Sequence, residues 1–230
     1  MSKKNLIIGL IPAKKKSRGL KNKNLKKIKG KSLTEIAVIN AINSKYIDKV
    51  YISTNSKQIS IIAQKYKVGL IKRPDNLCRD DTESRKVISH FIKCLPKPEN
   101  NLKNIIVYLQ PTSPLRTGKD IDKAIETYKR KKNQSLISVS KLEPKFLKTV
   151  QLKNDILHEI NKNYLTMNRQ NLKNFYYLDG FIFIFNIKKF MNRKSFLNKS
   201  SPYYTSQKKS IDIDNYSSYI KAKKILENEN

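Results

Sequence analysis

The run Leu6-Ile7-Ile8-Gly9-Leu10-Ile11-Pro12-Ala13-Lys14-Lys15-Lys16-Ser17-Arg18-Gly19-Leu20-Lys21-Asn22-Lys23-Asn24 changes character part-way along. Residues 6–10 are apolar and read as a buried strand. From Ile11 onward the chain turns strongly basic. Ser32-Leu33-Thr34-Glu35 follows, a capping box that opens a helix. The basic segment is therefore a long loop between the first strand and the first helix. In an open α/β sheet, anionic ligands sit at that place. Six cations with Ser17, Gly19 and Asn24 can hold a triphosphate. The alternative is a solvated basic loop in a Lys-rich chain.

Outward from this stretch, β-type apolar runs alternate with helical periodicity. Strands are expected at 6–11, 50–53, 69–71, 105–109, 136–139 and 178–185. Helices are expected at 33–43, 57–66, 83–94, 119–131 and 216–227. The alternation implies βαβ units and a mainly parallel sheet flanked by helices, within one α/β domain over 1–230. Leu33, Ile36, Ala37, Ile39 and Ala41 form the expected inner face of the first helix. Residues 141–173 break the alternation, being polar, rich in Asn and Lys, and weakly periodic. They read as a small protruding excursion: a lid, an arm or a dimerisation element. The alternating run 180–185 suits a strand buried on both faces.

The apolar residues, 38 % of the chain, fall in discrete runs, which argues against disorder. The net charge of +31 arises from 49 Lys+Arg against 18 Asp+Glu and invites a nucleic-acid reading. The charge is spread along the chain, however, with no RGG or SR runs. Compositional background plus attraction for a small anionic substrate is the preferred account, and nucleic acid is not expected as a partner. Cys78 and Cys94 have no CxxC spacing, and only His90 lies near them. They read as thiols in a reducing compartment. The N-terminal apolar run is too short for a signal peptide and lacks a cleavage site. No stretch is long enough to span a bilayer. A cytoplasmic protein with no membrane partner is expected.

Three further segments can carry chemistry. Gln110-Pro111-Thr112-Ser113-Pro114-Leu115-Arg116 follows directly on a strand, and its two prolines stiffen the turn. This places Gln110, Thr112, Ser113 and Arg116 at a strand's carboxyl end; an ordinary turn capped by Thr117 is the alternative. In Ser210-Ile211-Asp212-Ile213-Asp214 the two carboxylates share one side of a strand. A divalent cation such as Mg²⁺ is their natural partner. Alternatively, Asp214 caps the last helix. In Arg73-Pro74-Asp75-Asn76-Leu77-Cys78-Arg79-Asp80-Asp81-Thr82-Glu83-Ser84, Asp81 or Thr82 can cap the following helix, leaving Arg73 and Ser84 for a ligand. His90 reads as half-buried and non-catalytic. GxGxxG, GxxxxGK[ST] and GxSxG are absent, and two histidines make a His-based triad or zinc site improbable.

Taken in order, these segments resemble the acylneuraminate cytidylyltransferase family, the CMP-sialic acid synthetases. The opening motif I-P-A-R-x-x-S-K-G-[IL]-x-x-K-N is matched by IPAKKKSRGLKNKN. R-P-x-x-L-x-x-D is matched by RPDNLCRD, and L-Q-P-T-S-P-L-R by residues 109–116 throughout. Arg169-Gln170-Asn171-Leu172 and Asp179-Gly180 match a later R-Q-x-L and N-G, and residues 210–214 match S-I-D-I-D. The resemblance covers essentially the whole chain.

It implies a Rossmann-like, nucleotide-diphospho-sugar transferase-like fold, and a homodimer in which residues 141–173 reach the neighbour's site. It implies activation of a nine-carbon 2-keto sugar acid with CTP for cell-surface glycan synthesis. It assigns Lys14, Ser17 and Arg18 to the triphosphate and Lys23 to the α-phosphate. Asn24, Arg73, Thr82 and Ser84 go to cytosine and ribose. Gln110 and Arg169 go to the sugar acid, and Asp212 and Asp214 to catalytic Mg²⁺. The chain departs from the family at Lys14, a point charge in place of a bidentate arginine. Lys15 and Lys16 stand where Gly is frequent. Asp179 in place of Asn is expected to put a negative charge near the sugar, and Phe181 to narrow its pocket. Two alternatives stand beside this reading. One is a cytidylyltransferase for the eight-carbon acid Kdo, whose first loop typically reads R-L-P-G-K-P where this chain has Lys23-Asn24. The other is a basic nucleic-acid-binding protein on a retired enzyme fold.

Overall fold

The computed structural model describes residues 5–131, 135–160, 162–171, 174–193, 195, 197 and 199–228. The first half runs β1 (Ile7–Pro12), β2 (Lys27–Ile28), β3 (Lys31–Ser32), α1 (Leu33–Ile42), β4 (Lys49–Thr54), α2 (Lys57–Lys65), β5 (Gly69–Lys72), α3 (Ser84–Cys94) and β6 (Ile105–Tyr108). The second half adds α4 (Gly118–Lys131), β7 (Ser135–Lys141), β8 (Val150–Lys153), β9 (Ile156–Glu159), α5 (Lys162–Leu165), β10 (Tyr176–Asn186), α6 (Ile187–Met191), β11 (Ser200–Tyr204) and α7 (Tyr216–Asn228).

Seven strands make one sheet in the order β11-β7-β10-β6-β1-β4-β5. β1 pairs parallel with β4 and β6, β4 with β5, and β11 with β7. Only β10, between β6 and β7, is antiparallel to its neighbours. The expected mainly parallel sheet is therefore present, with one reversed strand. Along β1, Ile7 and Ile11 enter the apolar cluster that contains Ala37, Ile59 and Ile125 of α1, α2 and α4. Ile8 and Leu10 enter the cluster that contains Ile88 and Phe91 of α3 and Phe190 of α6. Both faces of the sheet are thus covered by helices, as a near-continuous apolar strand requires.

The capping box forms as read: Ser32 Oγ accepts from the Glu35 amide, and the Glu35 carboxylate accepts from the Ser32 amide at 2.8 Å. The inner face of α1 differs from expectation. Ile36 and Ile39 are only half-buried, whereas Val38 is fully buried against the sheet. β11 has no counterpart in the sequence reading, because its five residues contain Pro202 and show no clear alternation. It lies at the sheet's edge, where proline is tolerated.

Within residues 141–173, β8 and β9 form a hairpin outside the main sheet. Leu152, Ile156, Leu157 and Ile160 are more than 60 % exposed there. Asn161, Leu172 and Lys173 of this segment lie outside the described residues. Among the described residues, no helix is long and apolar enough to cross a membrane.

A third, smaller apolar cluster positions the site. It joins Leu20 of the basic loop, Leu115 of the turn after β6, Ile211 and Ile213 near the C-terminus, and Tyr219 of α7. Segments far apart in the chain are brought together by burying these few side chains.

Candidate active site

A cleft of about 240 Å³ opens at the carboxyl ends of β5, β1 and β6. The strand order changes direction between β1 and β6, and in open α/β sheets ligands bind at such a point. Three loops build its walls. Pro12, Lys14, Lys23 and Asn24 come from the loop after β1. Arg73, Leu77, Arg79, Thr82, Ser84 and Val87 come from the β5–α3 segment, and Tyr108, Gln110, Pro111 and Thr112 from the end of β6.

The basic loop is shaped by its own polar side chains. Ser17 Oγ donates to the Leu20 carbonyl at 2.5 Å and accepts from the Lys23 amide at 3.3 Å. Asn24 Nδ2 donates to the Lys14 carbonyl at 2.9 Å, and the Asn24 carbonyl accepts from Thr34 Oγ1 at 2.8 Å. Asn22, not Lys15 or Lys16, takes the left-handed conformation, with φ of 54°. Lysine in place of glycine at 15 and 16 therefore costs the loop no positive-φ strain. Lys14 Nζ and Arg18 Nε grip opposite oxygens of Asp80, at 2.5 and 2.6 Å. The Lys14 hydrogen bond, joined by the Arg18 charge, holds the Asp80 carboxyl below its ordinary range.

In the second wall, Arg73 is buried and donates from Nε to Ser53 Oγ at 3.2 Å and from Nη2 to the Ser53 carbonyl. Burial pulls its pKa down from the ordinary arginine value. The N-cap of α3 is Glu83, which makes no side-chain cap. The expectation that Asp81 or Thr82 caps this helix is thus corrected: the N-cap falls one residue past Thr82 and two past Asp81, and Thr82 stays at the cleft. His90 is half-buried on α3, with Nε2 3.5 Å from Cys94 Sγ.

The turn after β6 divides its labour. Gln110 and Thr112 line the cleft. Thr117 and Asp120 cap α4 reciprocally, as the Thr117 amide donates to Asp120 Oδ2 at 2.9 Å and Thr117 Oγ1 accepts from the Asp120 amide at 3.3 Å. Ser113 Oγ donates to the Gly180 carbonyl at 3.3 Å. Arg116 is only 1 % exposed and donates to the Phe181 and Gln110 carbonyls. Burial brings its pKa down to about 9, partly offset by the charges of Asp120, Asp179 and Asp212. Arg116 is thus an internal staple between the turn and β10, not a ligand at the cleft. Gly180 sits at the β10 irregularity with φ of 69°, and a Cβ there would lie 3.4 Å from Gln110 Nε2.

Two expectations for β10 fail. Asp179 is buried and accepts from Ser138 Oγ, from Ser140 Oγ at 2.8 Å and from the Phe181 amide at 3.1 Å. Its charge is consumed inside the sheet and is not offered to a ligand. Phe181 packs into the main core beside Arg116 and does not narrow the cleft.

Residues 211–214 pair in no sheet, so the expected strand is corrected to an irregular segment. The alternation survives: Ile211 and Ile213 point into the third cluster, leaving Asp212 half-buried and Asp214 exposed. The Ile213 amide donates to the Thr112 carbonyl at 2.9 Å and pins the segment to the cleft. Lys23 Nζ reaches Asp214 Oδ1 at 2.8 Å across 191 residues of sequence. Asn215, not Asp214, caps α7, its Oδ1 accepting from the Ser218 amide at 2.9 Å.

Asp212 Oδ1 is buried with no hydrogen-bond partner. Burial raises the Asp212 pKa, against a Thr112 hydrogen bond that lowers it, and the neighbouring Asp214 charge raises it further. A buried carboxylate oxygen without a donor, next to a second carboxylate, fits a hard divalent cation completed by substrate oxygens. Among the described residues, no group of three or more His, Cys, Asp or Glu side chains forms a protein-only cage.

The tertiary structure therefore gathers Lys14, Lys23, Asn24, Arg73, Thr82, Ser84 and Gln110 at one cleft and brings Asp212 and Asp214 to its margin. Ser17 shapes the loop from within, and Arg18 stands at its rim on Asp80. Arg169 lies in the 3₁₀ turn Arg169–Asn171 that precedes β10. Sequence reasoning assigned no role to Asp80 or Tyr108. Their signals were an acid among loop cations and an aromatic at the last position of a central strand.

A family model described as "Cytidylyltransferase" matches residues 8–229. The chain is 31 % identical over 212 residues to the N-acylneuraminate cytidylyltransferase of Escherichia coli O18:K1:H7, covering 90 % of this chain and 49 % of that protein. It is 28 % identical over 229 residues to the CMP-N,N'-diacetyllegionaminic acid synthase of Legionella pneumophila, covering 96 % of each. The chain spans about half the length of the N-acylneuraminate cytidylyltransferases it matches. Its fold is similar to that of CMP:2-keto-3-deoxy-manno-octonic acid synthetase complexed with CTP, with a TM-score of 0.70, 14 % identity, and 98 % of this chain and 100 % of that one covered.

Proposed function

Because the chain belongs to the cytidylyltransferase family, we propose that it transfers the cytidylyl group of CTP to a nine-carbon 2-keto sugar acid. The observation that carries this reading is the 2.8 Å contact between Lys23 and Asp214, which joins the basic loop to the acidic segment at one cleft. The sugar acids named for the relatives support the substrate class. The Lys23-Asn24 sequence in the first loop favours it over the eight-carbon alternative.

In the reaction, the anomeric hydroxyl of the sugar acid attacks the α-phosphorus of CTP in line. The new P–O bond forms as the bond to the β-phosphate oxygen breaks; pyrophosphate leaves and the hydroxyl proton is released to solvent. Such a step asks the protein for positioning and charge neutralisation rather than covalent chemistry. Lys14 and Arg18 neutralise the departing phosphates, exchanging Asp80 for them. Lys23 neutralises the α-phosphate as negative charge builds there. Arg73, Thr82, Ser84 and Asn24 hold the nucleoside, while Gln110 and Arg169 take the sugar acid. Asp212 and Asp214 would hold Mg²⁺, which when bound supplies charge stabilisation to the phosphate oxygens.

The exposed apolar side chains of the β8–β9 hairpin support a homodimer, since such a patch is ordinarily covered. A cytoplasmic location fits an activity that consumes CTP. The test is pyrophosphate release from CTP and Mg²⁺ with purified sugar acids: N-acetylneuraminic, legionaminic, pseudaminic and Kdo. Release with a nine-carbon acid is expected, and release with Kdo alone or with none overturns the reading.

A further inference from the structure

Tyr108 is the last residue of β6 and lines the cleft, yet it is only 4 % exposed. Its ring is fixed from behind. Phe183, its register partner in β10, stacks on it with centroids 5.8 Å apart and planes 6° from parallel. At the other end, the Tyr108 hydroxyl lies within electrostatic reach of Ser84, the first residue of α3, which lines the same cleft. Burial, which outweighs the Ser84 side chain and the nearby Arg73 charge, raises the pKa of the phenol. Leu77 and Val87 line the cleft beside it, giving an apolar surface with one polar edge.

A planar, half-apolar slot of this kind suits a nucleobase. The cleft's volume of about 240 Å³ is small for a nucleotide site, and a ring clamped by Phe183 cannot swing aside to enlarge it. Resting on the cytidylyltransferase reading above, we propose that Tyr108 is a specificity-determining residue. It closes the floor of the base pocket against purines and holds the Ser84 hydroxyl toward a pyrimidine.

The test is calorimetric titration of CTP, UTP, ATP and GTP, with Mg²⁺, into the full chain and four variants: Tyr108→Phe, Ser84→Ala, their double, and Tyr108→Val. Tyr108→Phe keeps the ring and its stacking but removes the hydroxyl. It is expected to weaken CTP by about five-fold, the worth of one hydrogen bond, and to leave ATP unchanged. Ser84→Ala should do the same, and the double variant should lose little more than either single, because the two hydroxyls act as one unit. Tyr108→Val removes the floor and should narrow the CTP-over-ATP preference about tenfold or more.

Wild-type CTP affinity in Tyr108→Phe, or additive losses in the double variant, would overturn the proposal, and neither depends on Tyr108→Val being stable. A Tyr108→Val chain that folds and keeps the full preference overturns it as well. If the wild-type chain has no preference for CTP, the transferase reading fails first and this inference with it. If the wild type prefers CTP and every variant does so equally, only the inference fails.

Discussion

Gly19 and Asp214 meet backbone to backbone. A Cβ on Gly19 would lie 2.3 Å from the Asp214 carbonyl oxygen, closer than side-chain carbons approach. The basic loop and the acidic segment are therefore held together by a contact that only glycine permits, beside the Lys23–Asp214 ion pair. The third apolar cluster brings the segments near, and Gly19 sets how near.

Gly19→Ala should push the loop away from Asp214 while leaving the two main cores untouched. A displacement of about 1 Å can cost on the order of 10²-fold in rate. We expect pyrophosphate release to fall by about that factor, with a melting temperature close to wild type. Full activity in the variant would show that this approach has no part in catalysis.

Lys23→Ala removes a positive charge from the reacting phosphates, and Asp212→Asn weakens the hold on the Mg²⁺ that would neutralise them, so each should reduce turnover by about 10²-fold or more. Their far-ultraviolet dichroism should match wild type. Removal of divalent metal with a chelator should abolish wild-type release and Mg²⁺ should restore it, with a higher half-saturating concentration in Asp212→Asn. Chelator-resistant activity would remove Asp212 and Asp214 from the metal-holding role.

Asp80→Asn frees Lys14 and Arg18 from their shared counter-ion. Exposed pairs of this kind add little to stability, so the substitution should leave the fold intact. CTP must displace the carboxylate if those cations hold the triphosphate, so the variant should bind CTP about two- to five-fold more tightly at low salt. Weaker binding, measured by calorimetry, would mean that Asp80 orders the loop for its ligand instead of competing with it.

Glu35 links stability to acid pH. Burial alone would raise its pKa, but hydrogen bonds from Lys65 and from the Ser32 amide and hydroxyl bring it down to about 2. An acid lowered on folding stabilises the native state above its unfolded pKa, and that stabilisation is lost as pH falls through the folded value. The loss should run from about pH 4.5 down to about pH 2, judged from the ordinary glutamate value and the lowered one. Glu35→Gln should be less stable than wild type at pH 7, and the gap should close over that window in urea titrations. A gap that does not change with pH would contradict the assignment.

Leu152 and Leu157, 63 % and 67 % exposed on the β8–β9 hairpin, should be buried if the hairpin is a dimer arm. The double substitution Leu152→Lys and Leu157→Lys is expected to yield a monomer in sedimentation velocity, with the sheet's dichroism intact. A dimer that survives both charges would place the interface elsewhere.

Much of the fold was legible because its signals are local. The apolar runs, the Ser32–Glu35 capping box and the helix periodicities each depend on residues a few positions apart, so every strand of the main sheet except β11 emerges within a residue or two. The hairpin at 150–159 was not legible, since its apolar side chains cover no core within the chain and so impose no recognisable period. Asp179 and Phe181 were misread for a related reason. A residue type next to a motif does not reveal which way its strand faces, and both point into the protein.

The sequence by itself determined a βαβ alternation, a basic loop after the first strand, and two carboxylates spaced to share a side. Tertiary structure alone decided which of the many cations face the cleft, that Ser17 and Arg116 serve the backbone, and that Lys23 meets Asp214. The physical reason is that a contact spanning 191 residues depends on how three distant segments bury Leu20, Leu115 and Ile213 together, and no local pattern encodes that packing.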